Sequence, residues 1–310
     1  MKTIGITGGT GLLGKHLSNL LAESGYNIIV FTRNPDKKRK YIKNTSYAAW
    51  DPYKKEIDRA SLAKVNAMVH LAGAGVADKR WTEQRKRVIV DSRVMSTEFL
   101  VEELKNNAPN CNTLICSSAI GYYGADSSDT PFTENDAPAN DFLARTCVEW
   151  EKASETAKDF TRRVVLRIGI VLARESGALH ELLRPMKFGF MTILGSGEQM
   201  VSWIHITDMV RMLRFAIERT EVSGIYNAVA PKPVTHSALM SNAAANRRGI
   251  KIFMPVPAPL LKLSVGEMST EVLKSCTVSA QKMIDAGFKF EHNYIDTALK
   301  DLMSRNKGKK

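Results

Sequence analysis

Eight residues near the start of the chain, Thr7-Gly8-Gly9-Thr10-Gly11-Leu12-Leu13-Gly14, have types and spacing that suit one task, holding a phosphate against a helix end. Gly8 permits a tight turn off a strand. Gly11 lets backbone N–H groups approach a pyrophosphate, and Gly14 lets the following helix pack closely on a sheet. Thr10, Leu12 and Leu13 complete the turn into that helix, where free N–H groups and the helix dipole favour an anion. A glycine triplet alone is weak evidence, and the plain alternative is a loop that holds nothing. Here the triplet follows a strand-like run (2–7) and opens an amphipathic helix with Leu13, Leu17, Leu20 and Leu21 that stops at Gly25. That context predicts a dinucleotide site.

The next strand, Asn27–Phe31, decides which dinucleotide. A carboxylate at its end would accept hydrogen bonds from ribose hydroxyls, as NAD requires, whereas NADP needs a cation for its 2′-phosphate. The chain reads Phe31-Thr32-Arg33-Asn34, with no acid before Asp36. Arg33 offers a planar fork of donors and Thr32 a hydroxyl, so the expectation is NADP(H). The alternative is that Arg33 merely begins the basic run 33–40.

The elements that position these residues follow from periodicity. Further strands are expected at Tyr47–Trp50, Ala67–Leu71, Thr113–Ser117, Val164–Ile168 and Gly224–Ala228. Helical patterns lie between, one through Val90, Val94, Thr97, Val101 and Leu104, another near 142–158, and a third from Asp208 to Glu218. Apolar strands alternating with helices indicate an α/β fold, a doubly wound parallel sheet of Rossmann type, with a smaller C-terminal lobe. Glycines at 177, 189, 195 and 197 and prolines at 231, 233, 255, 257 and 259 loosen the later pattern. The expected division is 1–175 with 203–230 for the nucleotide-binding part, 176–202 with 231–297 for the smaller lobe, and a basic flexible tail at 304–310.

The loop Thr7–Gly14, Leu71-Ala72-Gly73, and Ala77-Asp78-Lys79-Arg80-Trp81-Thr82 with Asp91-Ser92-Arg93 resemble the short-chain dehydrogenase/reductase superfamily of extended type. Within it they resemble the atypical subfamily of epimerase family proteins. Ser118 to Gly124, Asp141-Phe142-Leu143, Trp150-Glu151, Gly195-Ser196-Gly197, Ser202 to Ile206 with Asp208, and Ala286 to Phe290 continue the likeness to about residue 303. It implies an NADP site that also uses Leu71, Ala72, the adjoining Gly73, Arg93 and Val171, and a C-terminal domain of the subfamily's own. Some members carry cell-division-inhibitor labels, which nothing in these residues explains. The chain departs from many relatives at Ala74-Gly75, where they have Glu-Pro, and at Gly189-Phe190-Met191-Thr192, where they have Gly-Leu-Gly-Gly. Both departures bear on the substrate pocket.

A third departure concerns chemistry. The superfamily pairs a serine with Tyr-x-x-x-Lys on one helix face, where the ammonium lowers the phenol's pKa and holds the ribose. No tyrosine of this chain has lysine four residues on, and Leu143 and Cys147 occupy the expected places. Ser118 remains at the C-terminal end of a central strand, where ligands bind in open sheets. Tyr122 and Tyr123 lie just beyond and offer a phenol from the loop, better suited to give a proton than to take one; packing at the sheet edge is the alternative for both. Cys147 beside Val148 and Trp150 reads as core. His205 is a candidate proton donor or a structural residue, while Thr207 or Asp208 reads as the cap of the next helix.

The chain has 310 residues, 44% hydrophobic and 25% charged, a balance that fits a folded globular protein. No apolar run approaches the roughly 18 residues of a membrane span, and the start shows no signal-peptide layout, so the expectation is a cytoplasmic protein with no membrane partner. Cys111, Cys116, Cys147 and Cys276 show no metal-ligand spacing and read as packing thiols, and no metal is expected. The formal charge of +12 attracts anions, partly through Lys37-Lys38-Arg39-Lys40 and Lys307 to Lys310. No nucleic-acid module accompanies it, so solvated lysines are the better reading than a nucleic-acid partner. The functional expectation is an NADP(H)-dependent reductase or epimerase acting on a small carbonyl or sugar-nucleotide substrate. The alternative is a nucleotide-binding sensor without catalysis. The oligomeric state is left open.

Overall fold

A computed structural model describes the chain except residues 38–40, 127–128, 248, 250–251 and 305–310. The basic run beyond Lys37 and the expected tail beyond Ser304 therefore lie outside the described residues. The strands are β1 (Thr3–Thr7), β2 (Asn27–Thr32), β3 (Thr45–Asp51), β4 (Glu56–Ile57), β5 (Ala67–His70), β6 (Thr113–Ala119), β7 (Arg162–Ile168), β8 (Ile170–Leu172), β9 (Phe190–Leu194), β10 (Met200–Val201), β11 (Trp203–His205), β12 (Gly224–Ala228), β13 (Val234–Thr235) and β14 (Ile252–Val256). The helices are α1 (Leu12–Glu23), α2 (Arg59–Leu62), α3 (Glu83–Asn107), α4 (Phe142–Ala153), α5 (Ala178–Leu182), α6 (Ile206–Glu218), α7 (His236–Ala245), α8 (Ala258–Val265), α9 (Ser269–Leu273), α10 (Gln281–Asp285) and α11 (Ile295–Met303).

Eight strands form the main sheet in the order β12-β7-β6-β5-β1-β2-β3-β4. β1 pairs in parallel with β2 and β5, β2 with β3 and β5 with β6, while the short β4 turns back antiparallel on β3. The chain runs outward from β1 through β2 and β3, then crosses back to β5 and runs outward the other way. A doubly wound sheet reverses in this manner at one point, and ligands bind outside the carboxyl ends of the strands there. β5 is buried at all four positions, as a strand covered on both faces must be. Ile29, Phe31, Trp50, Leu62, Met68, Leu100, Leu104 and Leu114 share one apolar core.

Two helices differ from their periodic patterns. α3 begins seven residues before Val90, because the Thr82 hydroxyl accepts the Arg85 N–H at 3.1 Å and caps it. Its first turns are polar and carry no apolar period. The pattern near 142–158 is an α-helix only to Ala153, followed by a 3₁₀ segment, Glu155–Asp159.

Contacts group the chain into two compact units. The first comprises Met1–Tyr122, Pro138–Arg167 and Met209–Tyr226; the second comprises Tyr123–Ala137, Ile168–Asp208 and the chain from Asn227 on. The sequence-based limits at 175, 203 and 230 fall elsewhere, for identifiable reasons. The Asp126 carboxylate accepts the Thr277 N–H at 2.6 Å and the Ser275 and Thr277 hydroxyls at 2.8 Å each. Phe132 bridges to Val278. Gly169 N–H donates to the Ala228 carbonyl at 3.1 Å, and β8 pairs with β11. Two further strand pairs, β10 with β13 and β9 with β14, belong to the second unit.

Candidate functional site

Gly8 sits at φ +68, and a Cβ there would fall 2.6 Å from the Leu71 carbonyl carbon. Only glycine suits both demands. The loop closes with the Gly11 N–H donating to the Gly8 carbonyl at 2.9 Å, and Gly11 opens α1 with no side-chain cap. The first-turn N–H groups therefore face outward, as an anion site needs. Gly14 does not act against the sheet as expected. Its Cβ would meet Gly9 Cα at 2.4 Å and the Gly8 carbonyl at 2.5 Å, so it seats α1 on the loop itself. The residue that seats the loop on the sheet is Gly9, whose Cβ would lie 2.7 Å from Val30 Cγ1.

A cleft of about 1030 Å³ opens above this loop. It brings together Gly8, Thr10 and Gly11, then Thr32 and Arg33 at the end of β2, then Leu71, Ala72 and Gly73 after β5. Leu12, Leu13 and Gly14 stand behind the lining in α1. Lys15 and Tyr41 join the lining without having been singled out from sequence, and Lys37, noted there only within the basic run, joins them. No Asp or Glu occurs among the described lining residues.

Arg93 does not line the cleft either. It donates to the Ala74 carbonyl at 3.0 Å and the Ile89 carbonyl at 2.9 Å, with its guanidinium 5.0 Å from the Trp150 ring. Burial lowers its pKa, although the nearby Cys147 works the other way. It braces the Leu71–Ala74 segment from behind, where a Cβ on Gly73 would lie 3.4 Å from its Cζ. Val171 belongs to the second unit, in β8 opposite Ile204.

His70 was not legible as a site residue, since it simply ends an apolar strand. Its Nδ1 lies 2.7 Å from the Thr7 hydroxyl and its Nε2 3.1 Å from the Thr97 hydroxyl. It stacks on Trp50 at 5.7 Å. Burial pushes its pKa down to about 3, so the ring is neutral. Thr7 and Trp50 both line the cleft, so the neutral His70 packs directly behind that lining.

The three expected catalytic residues are not brought together. Ser118 is buried and donates to Glu151 Oε1 at 2.7 Å. Arg167 grips the same carboxylate with Nε at 2.8 Å and Nη2 at 2.9 Å. The Arg167 guanidinium lies 3.4 Å over the ring of Tyr122, which is half-buried in a 3₁₀ turn after β6. Tyr123 belongs to the second unit. It is fully buried, donates to Asn227 Oδ1 at 2.7 Å and stacks on Phe132 at 5.2 Å. Glu151 and Arg167 were not identified as a pair in the sequence, where nothing marks residues sixteen apart as partners.

All four cysteines are buried and free. Burial, reinforced by Glu151, pushes the Cys147 thiol up to about 12, and it packs on α4 as a protonated group. Leu143, at the other vacant catalytic place, packs toward Gly121.

His205 is buried, and burial and then His292 push its pKa down to about 4. Its Nδ1 accepts the Thr207 N–H at 3.1 Å at the start of α6, the task expected of Thr207 or Asp208. Asp208 instead accepts the N–H groups of Glu291 and His292 at 2.9 Å each. His205, His292 and Asp301 place three donor atoms within 4.8 Å. With Nδ1 already an acceptor, a neutral His205 ring carries its proton on Nε2, facing Asp301 at 3.3 Å. That arrangement leaves Nε2 no lone pair for a metal.

A reversing parallel sheet with a glycine loop between its first strand and first helix defines a Rossmann-type protein of the dinucleotide-binding class. More narrowly, the chain belongs to the NAD dependent epimerase/dehydratase family, whose model matches residues 4–228. Residues 256–302 match a domain of unknown function, DUF1731. The chain is 33% identical over 306 residues to an epimerase family protein of Bacillus subtilis, covering 98% of this chain and 99% of that one. It resembles the human epimerase family protein SDR39U1, solved with NADPH, at 26% identity and a TM-score of 0.84, covering 97% and 99% of the two chains. It also resembles a nucleoside-diphosphate sugar epimerase from Corynebacterium glutamicum at 29% identity and a TM-score of 0.76, covering 97% of this chain and 58% of that one.

Proposed function

We propose that the protein is an NADP(H)-dependent enzyme of the cytoplasm that reduces or epimerises a carbonyl-bearing substrate of the sugar-nucleotide kind. One observation carries the cofactor choice. The described lining of the cleft contains Lys15, Arg33 and Lys37 and no carboxylate, a set that welcomes a phosphate monoester and offers no carboxylate to a free ribose diol. The NADPH bound by the human relative and the likeness to the nucleoside-diphosphate sugar epimerase of Corynebacterium glutamicum support the reading. Among the described residues no helix is long and apolar enough to cross a membrane.

In this reading Gly8, Thr10, Gly11 and the first turn of α1 (Leu12, Leu13, Gly14) hold the pyrophosphate. Thr32 and Arg33 hold the 2′-phosphate, while Leu71, Ala72 and Gly73, with Arg93 behind them, shape the wall. The nicotinamide, when bound, supplies or takes up a hydride. Of the expected phenols Tyr122 fits proton donation better than Tyr123, whose hydroxyl is committed inside the second unit. Ser118 acts through the buried Glu151–Arg167 pair, which fixes the guanidinium over Tyr122. A regulatory protein without chemistry is the second reading, favoured by the same commitment of Ser118 to Glu151.

Fluorescence titration with NADPH and NADH tests the cofactor assignment. NADPH is expected to bind more tightly, and Arg33→Ala to weaken it by about tenfold or more while barely changing NADH. Equal affinities in the unmutated protein would overturn it. Binding without turnover on a panel of carbonyl compounds and nucleotide sugars would favour the regulatory reading.

A further inference from the structure

The second compact unit carries an apolar run that its own fold leaves uncovered. β14 pairs in parallel with β9, Ile252 opposite Phe190 and Phe253 opposite Met191, and α8 follows almost directly. Ile252 is 60% exposed, Phe253 57%, Leu260 55% and Leu263 74%, while Phe188, just before β9, is 80% exposed. Leu261 is the buried member of α8. From Ile252 to Ser264 the one charged residue is Lys262. Large apolar side chains left exposed along a paired strand, beside its partner and on the helix that follows mark a place where something docks.

Charge selects the occupant. No Asp or Glu occurs between Glu221 and Glu267, a stretch that contains Lys232, Arg247, Arg248, Lys251 and Lys262. None occurs between Glu181 and Glu198 either, where Arg184 and Lys187 stand. β9 and β14 are thus themselves uncharged, and the chain flanking each is basic and free of acid. A second copy docking by a twofold axis would set this acid-free, basic surface against itself, which like-charge repulsion opposes. A surface that is anionic outside and apolar within answers both features. Its phosphates meet exposed Lys187 and Lys262, and its acyl boundary takes the Phe and Leu side chains.

We infer that the β9–β14 pair and α8 form a peripheral seat on an anionic lipid surface. Such a seat needs no spanning helix, and it gives part of the +12 charge a task. It is independent of the nucleotide cleft, so the two readings stand or fall separately.

The test is co-sedimentation of the full chain with vesicles of phosphatidylcholine alone and of phosphatidylcholine with phosphatidylglycerol, with circular dichroism as the check on folding. The protein is expected on the anionic vesicles and not on the neutral ones. Salt that shortens the Debye length from about 10 Å to about 3 Å should weaken the binding sharply. Phe253→Ser with Leu263→Ser should reduce it by about tenfold or more, from the apolar area removed. Lys187→Glu with Lys262→Glu should reduce it similarly while keeping every apolar side chain. Absence from anionic vesicles at low salt, equal binding to neutral ones, or indifference to both double substitutions would overturn the inference. So would a concentration-dependent dimer dissolved by Phe253→Ser with Leu263→Ser, which would make the face a contact between copies.

Discussion

Gly11 and Gly14 stand one helical turn apart, and their surroundings separate binding from folding. A Cβ on Gly11 would meet only the Gly8 carbonyl, at 3.2 Å, whereas one on Gly14 would press on loop backbone that cannot yield. Gly11→Val should therefore keep the circular dichroism spectrum and lose the NADPH-induced rise in melting temperature. Gly14→Ala should lower stability by about 1–3 kcal/mol or more, even without ligand. The Ser118 network permits a similar separation in denaturant titrations. Ser118→Ala should cost about 1–2 kcal/mol, and Glu151→Ala about 3–5 kcal/mol, because it strands the buried Arg167 charge. A loss of turnover with Ser118→Ala at unchanged stability would instead give the hydroxyl a direct chemical part. At this scale the glycine loop and Arg33 were legible, because a phosphate cradle is local and its spacing is fixed. Ser118's commitment was not, since Glu151 lies 33 residues away and Arg167 a further 16.

Strands β1, β2, β5 and β6 were legible within a residue or two, because each is an apolar run buried on both faces. β9 and β14 were not, because β14 is exposed along most of its length, β9 mixes exposed and buried positions without alternation, and Pro255 and Pro257 read as breaks. The start of α3 was missed for a related reason, its first turns being polar. Long-range ties set other elements. Asp208, fully buried at the start of α6, holds the backbone just before α11 by two charge-assisted hydrogen bonds. Asp208→Ala should leave those N–H groups unpaired. Hydrogen exchange is the suitable measurement, with Glu291 and His292 expected to lose protection by tenfold or more while the strands of the main sheet keep theirs.

For the molecule as a whole, three buried histidines shape the response to acid. Burial disfavours the imidazolium and pushes His70 down to about 3, His205 down to about 4 and His236 below its ordinary value of 6.5. The unfolded chain takes up these protons first. The stability they contribute is full above pH 6.5 and is lost as pH falls toward 4 and then 3, by a few kcal/mol in total. The melting temperature should thus drop between pH 6.5 and pH 4, and His70→Gln should flatten the slope; an unchanged slope would show that His70 does not keep its neutral form on folding. The doubly wound architecture was legible from alternating strands and helices. The grouping of 123–137 with the second unit was not, because Asp126 finds its partners 149 and 151 residues later.

That separation also dictates a timetable. A ribosome adding about 5–20 residues each second needs roughly 7–30 s to travel from Asp126 to Ser275 and Thr277. For much of that interval Tyr123 lacks Asn227, and for all of it Phe132 lacks Val278 to close over it. The nascent protein is therefore most open to proteases and most in need of a chaperone at a loop in its middle, and only the late arrival of its C-terminal third ends that exposure.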